Sequence, residues 1–351
     1  MRDSSFRHAE SARKRYAGGC RATERPVEFA GVATQADGGD VLVSQPAPAS
    51  AIEADSYVVN PRMLEWGPGR VMQLEGAKAV VCFRDARADT PGDGLKTMVL
   101  RALEASPVQS DAWLDNLPPF KNGKFQVAQP RVTFDEGMSE LIRHFALGFG
   151  DPVYVERERE AKWSAHGLWT STLGGGQGEQ LLSDGDLPEL ARRALAVAAQ
   201  AGVLNRVESA ALRDGLADGA GAKRLFGALF TLLSAEKGTE GPLASYFEAV
   251  ESLPLRGKTA SAKWTIATVL PFLARPDAFM FFKPDVSKPA AERLRFDLAY
   301  QADPNARTYD KLLRMASALL ERLAPLGATD SIDVHAYLGV VARYGSSRAQ
   351  A

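Results

Sequence analysis

The strongest constraint on the fold is a change of hydrophobic pattern near Pro107. Before this residue, short β-rich runs follow one another at intervals of about ten residues, and each run is bounded by Gly or Pro. The runs are residues 57–59, 70–74, 79–83 and 95–99. After Pro107, apolar residues recur three and four positions apart, which is typical of amphipathic helices. The sequence therefore predicts a mixed fold, with a small all-β meander barrel followed by a mainly α-helical domain.

The same pattern divides the chain into four segments. We predict a disordered extension over residues 1–54, a β-barrel over 55–106, a connector over 107–133 and a helical domain over 134–345. Residues 1–25 carry seven Lys or Arg against three acidic residues, so the basic character of the chain is concentrated in this tail. Apart from a weak strand pattern at residues 41–43, the extension offers little apolar surface to bury.

Ten helices are predicted in the second part of the chain. They cover residues 134–149, 151–169, 188–202, 206–218, 222–237, 242–253, 262–274, 288–294, 308–326 and 332–344. The glycine-rich residues 172–178 are expected to form a flexible break. Residues 278–282 are aromatic and lie between two prolines, which predicts a buried extended segment rather than a helix.

The overall composition excludes several classes of protein. A net charge of -1 over 351 residues argues against a large non-specific nucleic-acid surface. No apolar run reaches the about 18 residues of a membrane span, and no apolar stretch near the N-terminus suggests a secretory signal. Cys20 and Cys82 are too few for a disulfide framework, which suits a reducing compartment. We expect a cytoplasmic protein with no membrane partner, no bound metal and no cofactor.

One stretch of the predicted barrel resembles a known domain family. Asn60 and Pro61 follow a short strand, Trp66 begins the pattern Trp-Gly-x-Gly-x-Val, and a Val-rich strand ends at Phe83. Residues 56–101 resemble a small bacterial family of unknown function, which is similar to the SH3-like or Tudor-like modules of transcription-repair coupling factors, CarD-type regulators and DNA-repair helicases. The resemblance implies an SH3-like barrel that docks onto a protein, with RNA polymerase or a repair or defence protein as the candidate partner.

The resemblance also indicates which residues would form the docking site. They are Pro61, Trp66, Gly67, Gly69 and Arg70. The two glycines allow a tight bend, and Trp66 is large enough to cap the end of a small barrel. Two interpretations of Trp66 stay open, because a ring of this size could be wholly core or could remain partly exposed to bind a partner.

A second resemblance concerns the helical part. Residues 253–286 look somewhat like helix-hairpin-helix DNA glycosylases, in which a lysine after the hairpin is the amine nucleophile and a later aspartate assists. The resemblance implies Lys258 or Lys263 as the nucleophile and Asp285 as its partner. The sequence departs from this family because the hairpin glycines are reduced to Gly257 and the aspartate lies too far along the chain.

Basic and aromatic residues also alternate in this region, which is typical of surfaces that bind single-stranded nucleic acid. The candidates are Lys263, Trp264, Lys283, Lys288, Arg307 and Tyr309. The alternative interpretation is that the rings belong to the core and the charges are scattered over the surface.

The last helix begins with a group that could be taken for metal ligands. Asp330, Asp333 and His335 are close in sequence, but the first two suit the cap and the first turn of a helix. We therefore predict helix capping rather than a metal site. The sequence as a whole favours a non-enzymatic adaptor, with DNA as a further candidate partner and a DNA-acting enzyme as the alternative class. It does not indicate an oligomeric state.

Overall fold

A five-stranded antiparallel sheet is the first element of the computed structural model, which describes residues 52–86, 94–235, 240–255 and 258–345. Its strands are β1 (Tyr57–Val59), β2 (Gly69–Glu75), β3 (Lys78–Phe83), β4 (Leu95–Val99) and β5 (Glu104–Ala105), in the spatial order β4-β3-β2-β1-β5. The four predicted β-rich runs are confirmed as strands. Because the rest of the described chain is mainly helical, the mixed fold class is confirmed as well.

The inner face of the sheet is built by alternation along β2 and β3. Its small core consists of Val58, Val71, Ala79, Val81, Phe83, Ala86 and Leu103. Gly69 is buried between these side chains, and a Cβ atom at this position would lie 2.6 Å from the Phe83 ring. The missing side chain therefore lets β2 pass close to β3 without a clash.

A short 3-10 turn leads the chain from one edge of the sheet to the other. The turn, Leu100–Ala102, follows β4, and β5 then pairs with β1 on the opposite edge through Val58 and Ala105. β1 is consequently flanked on both sides by antiparallel partners.

Twelve α-helices follow among the described residues. They are α1 (Phe134–His144), α2 (Pro152–Tyr154), α3 (Glu160–Thr172), α4 (Gln177–Asp184), α5 (Leu187–Ala201), α6 (Arg206–Ala217), α7 (Gly219–Ser234), α8 (Glu240–Glu251), α9 (Ala260–Ala274), α10 (Pro284–Arg293), α11 (Ala306–Leu323) and α12 (Ser331–Ala342). The predicted helix over 151–169 is divided, because a π-helical turn (Val155–Arg159) separates α2 from α3.

The predicted flexible break over residues 172–178 is only partly correct, because α4 begins within it. The break is limited to residues before α4, and Gly176 precedes the helix with a φ of 86°. Gly178 lies inside α4, where a Cβ atom would be 2.4 Å from the Phe230 ring. This glycine therefore permits close helix packing instead of flexibility.

The aromatic segment at 278–282 is buried and non-helical, as predicted. The amide of Phe282 donates to Thr268 Oγ1 over 2.9 Å, and the amide of Met280 donates to Tyr309 Oη over 3.1 Å. These side-chain acceptors replace the partners that a strand or helix would supply, so the segment can cross the helical core in an extended form.

The predicted connector contains its own structure and joins the sheet to the helices. Strands β6 (Phe120–Lys121) and β7 (Lys124–Phe125) form a small hairpin. Before it, Asp111 pairs with Arg84 of the sheet region at 2.8 Å, whereas Trp113 Nε1 donates to the carbonyl oxygen of Leu294 at 2.7 Å. The connector thus contacts both the sheet and the helical part, and the described residues belong to one compact unit.

The predicted N-terminal extension, including the strand pattern at 41–43, lies outside the described residues apart from its end at residues 52–54. In the part of the chain that the structure covers, no helix has the length and apolar character needed to cross a membrane.

Candidate functional site

The turn before β2 is held in one conformation by backbone hydrogen bonds. Its 3-10 helix, Leu64–Trp66, is capped by Met63, whose amide donates to the Asn60 carbonyl over 3.0 Å. The amide of Trp66 donates to Met63 over 3.1 Å, and that of Gly67 donates to Leu64 over 3.0 Å. Asn60 is itself buried, which anchors the start of the turn.

The other end of the turn is fixed by the residues after β3. The amide of Asp85 donates to the Trp66 carbonyl over 3.0 Å, and the amide of Arg84 donates to the Pro68 carbonyl over 3.0 Å. Gly67 has a φ of 67°, and a Cβ atom there would lie 2.5 Å from Asp85 Oδ2. Glycine is required at this point for both conformation and space.

Trp66 occupies an intermediate position between core and surface. Its ring lies 5.2 Å from the Phe83 ring, between centroids, and packs against the sheet core. On the outer side, Lys96 Nζ lies 5.2 Å from the ring centroid in a cation–π contact. The half-buried ring thus has a structural contact on one side and a polar, accessible environment on the other.

Beside Trp66, the turn presents an apolar side chain to solvent. Leu64 is 71% exposed, and Pro61 is exposed on the same loop. We call Pro61, Leu64, Trp66 and Lys96 the docking surface. Sequence reasoning missed Leu64, although an apolar residue in a turn two positions before the tryptophan was a usable signal.

The remaining residues that the resemblance implied have internal roles. Arg70 Nη1 donates to the Leu114 carbonyl over 2.9 Å, and Arg70 Nη2 lies 2.9 Å from Asp55 Oδ1. Gly69 is buried in the sheet and Gly67 shapes the turn. Of the five predicted residues, Pro61 and Trp66 therefore lie on the docking surface.

Neither of the predicted nucleophilic lysines forms an ion pair or hydrogen bond with Asp285 among the described residues. Lys258 pairs with Asp214 at 3.2 Å, and Lys263 pairs with Asp303 at 2.5 Å. Asp285 instead accepts a hydrogen bond from Ser261 over 3.4 Å. An amine nucleophile needs a nearby group to relay its proton, and the predicted one contacts neither lysine. Gly257 lies outside the described residues.

The predicted basic and aromatic set does not form one surface. Trp264 and Tyr309 are buried, and their polar atoms donate to the carbonyl oxygens of Gln301 and Met280. Burial raises the pKa of Tyr309 above its usual range. Because both rings lie in the core, neither presents a face on which a base could stack.

The basic members of this set mostly have partners within the molecule. Lys263 pairs with Asp303, and Lys283 lies 3.8 Å from Glu208. Lys288 Nζ is 5.2 Å from the Tyr300 ring centroid. Arg307 is exposed on α11. Carboxylates thus balance Lys263 and Lys283, so these two lysines offer little excess positive charge to a nucleic-acid backbone.

The acidic residues at the start of α12 belong to a buried ionic network. Asp330 caps the helix, as predicted, by accepting from the Ile332 amide. Arg159, at the end of the π-helical turn, binds Asp330 at 2.5 Å and Asp333 at 2.7 Å. Tyr154 also donates to Asp333 over 2.5 Å. No sequence signal indicated the arginine, since it lies far from these partners along the chain.

His335 lies apart from that network, against the rings of Phe272 and Phe281. Its Nε2 atom is buried without a hydrogen-bond partner among the described residues. Burial, with a smaller effect of nearby Lys162, lowers the pKa of His335 to about 3. Within the described ranges, no three His, Cys, Asp or Glu side chains are placed to hold a metal ion.

Comparison of the sequence with protein-family models gave no match. Curated proteins and solved structures gave no match either. These comparisons therefore assign no function to the chain.

Proposed function

We propose that the protein is a non-enzymatic adaptor that docks onto a protein of the transcription, repair or defence machinery through its docking surface. The observation that carries this proposal is Leu64, which is 71% exposed on a turn held by hydrogen bonds at both ends. Because the backbone of this turn is already ordered, little backbone entropy is lost when a partner buries Leu64, and more of the burial contributes to affinity. Trp66 beside it supplies the kind of aromatic anchor that dominates many interfaces.

The form of the sheet supports the same proposal. An SH3-like barrel is a short antiparallel meander whose last strand returns beside the first, and the strand order β4-β3-β2-β1-β5 fits that description. The 3-10 turn before β5 brings the chain back to the edge of the sheet beside β1. In the family that residues 56–101 resemble, such modules dock onto proteins, and RNA polymerase is the first partner to test.

The charged residues around the turn indicate the chemical character of the partner's binding surface. Lys96 lies over the Trp66 ring, and Arg62 and Glu65 are exposed on the same loop. A partner that fits would bury Leu64 in an apolar pocket and place polar groups around it, because interfaces of this kind have an apolar centre and a polar rim.

Binding to purified bacterial RNA polymerase tests the proposal, with wild type compared with Leu64→Ser. We expect the variant to weaken binding at least about tenfold, which corresponds to about 1.4 kcal/mol. Leu147→Ser is the matched control, since Leu147 is 70% exposed but lies outside the sheet. Quantitative capture from nuclease-treated lysate with the same three proteins extends the test to other partners. If neither assay finds a protein whose binding depends on Leu64, the docking function is wrong.

A further inference from the structure

A groove opens on the helical part, remote in sequence from the docking surface. Its volume is about 720 Å³. Sites for organic ligands usually have about 300–1,000 Å³, so the groove has room for one such molecule. One wall is α11, and the other is formed by the end of α7, the start of α8 and residues 275–279.

The wall from α11 is a continuous face of that helix. The face consists of Ala306, Arg307, Asp310, Leu313, Arg314, Ser317 and Leu320, which recur at intervals of three and four residues. With a rise of about 1.5 Å per residue, this face is about 20 Å long. Across from it lie Leu243 and Phe279. The groove is therefore elongated and largely apolar along its length.

The charges in the groove are not balanced. Arg314 pairs with Asp310 at 2.8 Å, and Arg275 lies 3.3 Å from Asp277. Arg307 is exposed and makes no hydrogen bond or ion pair among the described residues. It lies in the first turn of α11, where the helix dipole adds further positive potential. One end of the groove consequently favours a negative charge, whereas its middle favours an apolar group.

We propose that this groove binds an amphipathic organic anion, with a carboxylate or phosphate head at Arg307 and an apolar body along Leu313, Leu320 and Phe279. The volume argues for a small molecule rather than a helix of a partner protein, because only part of such a helix could enter. A neutral or cationic amphiphile would leave Arg307 without a partner or oppose it. This site goes beyond the proposed docking function and does not depend on it.

Laurate is a suitable probe, since it has a carboxylate head and a chain long enough for the groove. Dodecyltrimethylammonium has the same chain and the opposite charge. Both are titrated below their micelle concentrations into the full-length protein, with calorimetry and displacement of the fluorescent sulfonate ANS as readouts. We expect laurate to bind at one site and the cation to bind at least about tenfold more weakly.

Two variants locate the site. Arg307→Glu reverses the charge at the head position, and Ser317→Trp fills the groove from an exposed position on the same wall. Each should weaken laurate binding at least about tenfold. Arg206→Glu, an exposed arginine of α6 outside the groove, should leave it unchanged.

The proposal is overturned by three results. They are a wild type that does not bind laurate, equal affinity for laurate and the cation, or unchanged affinity in Arg307→Glu. Arg307→Glu tests the proposal even if Ser317→Trp fails to fold. Its own folding should be unaffected, because the Arg307 side chain is exposed and unpaired in the described structure.

Discussion

At the scale of single residues, Gly67 connects the docking turn to the charges beneath it. A Cβ atom here would lie 2.5 Å from Asp85 Oδ2, and Arg84 holds the same oxygen at 2.9 Å. Arg322 of α11 lies 2.9 Å from the other oxygen of Asp85, in an ion pair without the alignment of a hydrogen bond. The carboxylate therefore cannot move aside without losing charged partners.

This arrangement predicts that Gly67→Ala destabilises the protein by about 2–3 kcal/mol, from an unfavourable φ together with the clash. Gly76→Ala is the control, because Gly76 also has a positive φ of 59° but has no atom within 4 Å of the added Cβ. It should cost about 1 kcal/mol. Urea unfolding measures both variants. Equal losses would mean that Asp85 yields and that the turn is not rigid.

His335 predicts a dependence of stability on acid pH. Its folded pKa is about 3, below the unfolded value of about 6.5. The unfolded chain therefore takes up a proton near pH 6.5 while the folded protein does not. The contribution of His335 to the free energy of unfolding is therefore fully present above pH 6.5. It decreases by up to about 1.4 kcal/mol per pH unit as the pH falls toward 3.

The His335→Leu variant should lack this component. Its urea midpoint should fall less steeply than that of wild type between pH 6.5 and 4. His144→Leu, which removes a mainly exposed histidine, should keep the wild-type slope. Parallel slopes in all three proteins would show that His335 titrates normally in the folded state.

At the scale of elements, the π-helical turn Val155–Arg159 ends at the arginine that pairs with the start of α12. A π turn inserts an extra residue into the helix and so rotates the later residues relative to their positions in a regular α-helix. Here the rotation coincides with the contact between Arg159 and the start of α12. The ion pairs of Arg159 thus link the start of α3 to the start of α12, which is far away in sequence. The charged groups in these pairs have little access to solvent.

Removing this arginine should be costly. Arg159→Met leaves Asp330 and Asp333 without their cation, and we expect a loss of about 3 kcal/mol because a buried charge would remain unpaired. The Arg192→Met control breaks a solvent-exposed pair with Glu189 and should shift the urea midpoint little. A small loss for Arg159→Met would show that Tyr154 and the Thr329 amide suffice to hold Asp333.

The elements also show what sequence patterns can predict. Strands and most helices were predictable because alternation and three-to-four spacing follow directly from which face is buried. Gly178 was misjudged because a glycine needed for close packing against Phe230 has the same local sequence as one in a flexible loop. Trp264 and Tyr309 pose the same difficulty, since the chain alone does not reveal whether an aromatic ring is exposed.

At the scale of the whole molecule, the sheet and the helices keep separate hydrophobic cores. They are joined through the connector, whose Trp113 packs edge-on against Phe296 with 5.1 Å between ring centroids. The Asp297 amide donates to the Asn116 carbonyl in the same region. The sequence predicted only a connector here, because the contacts that order the segment come from residues distant in sequence.

This arrangement predicts that Trp113→Ala weakens the attachment of the sheet more than it weakens the helical core. The change removes the hydrogen bond to Leu294 and the contact with Phe296, with an expected cost of about 2 kcal/mol for a half-buried ring. Hydrogen exchange measured by mass spectrometry should show peptides from β1 to β3 exchanging at least about tenfold faster, while peptides from α9 keep their protection.

Phe120→Ala provides the control, because Phe120 lies in the connector hairpin and meets Phe125 at 5.4 Å between ring centroids. It should leave the exchange of both regions unchanged. If Trp113→Ala accelerates exchange in α9 as much as in the sheet, the two cores unfold as one cooperative unit. If it accelerates neither, the sheet is stable without its attachment. A selective effect on the sheet would mean that the sheet, which carries the docking surface, depends on the helical part for its stability. A change at the contact between the sheet and the helical part would then alter the order of the docking turn.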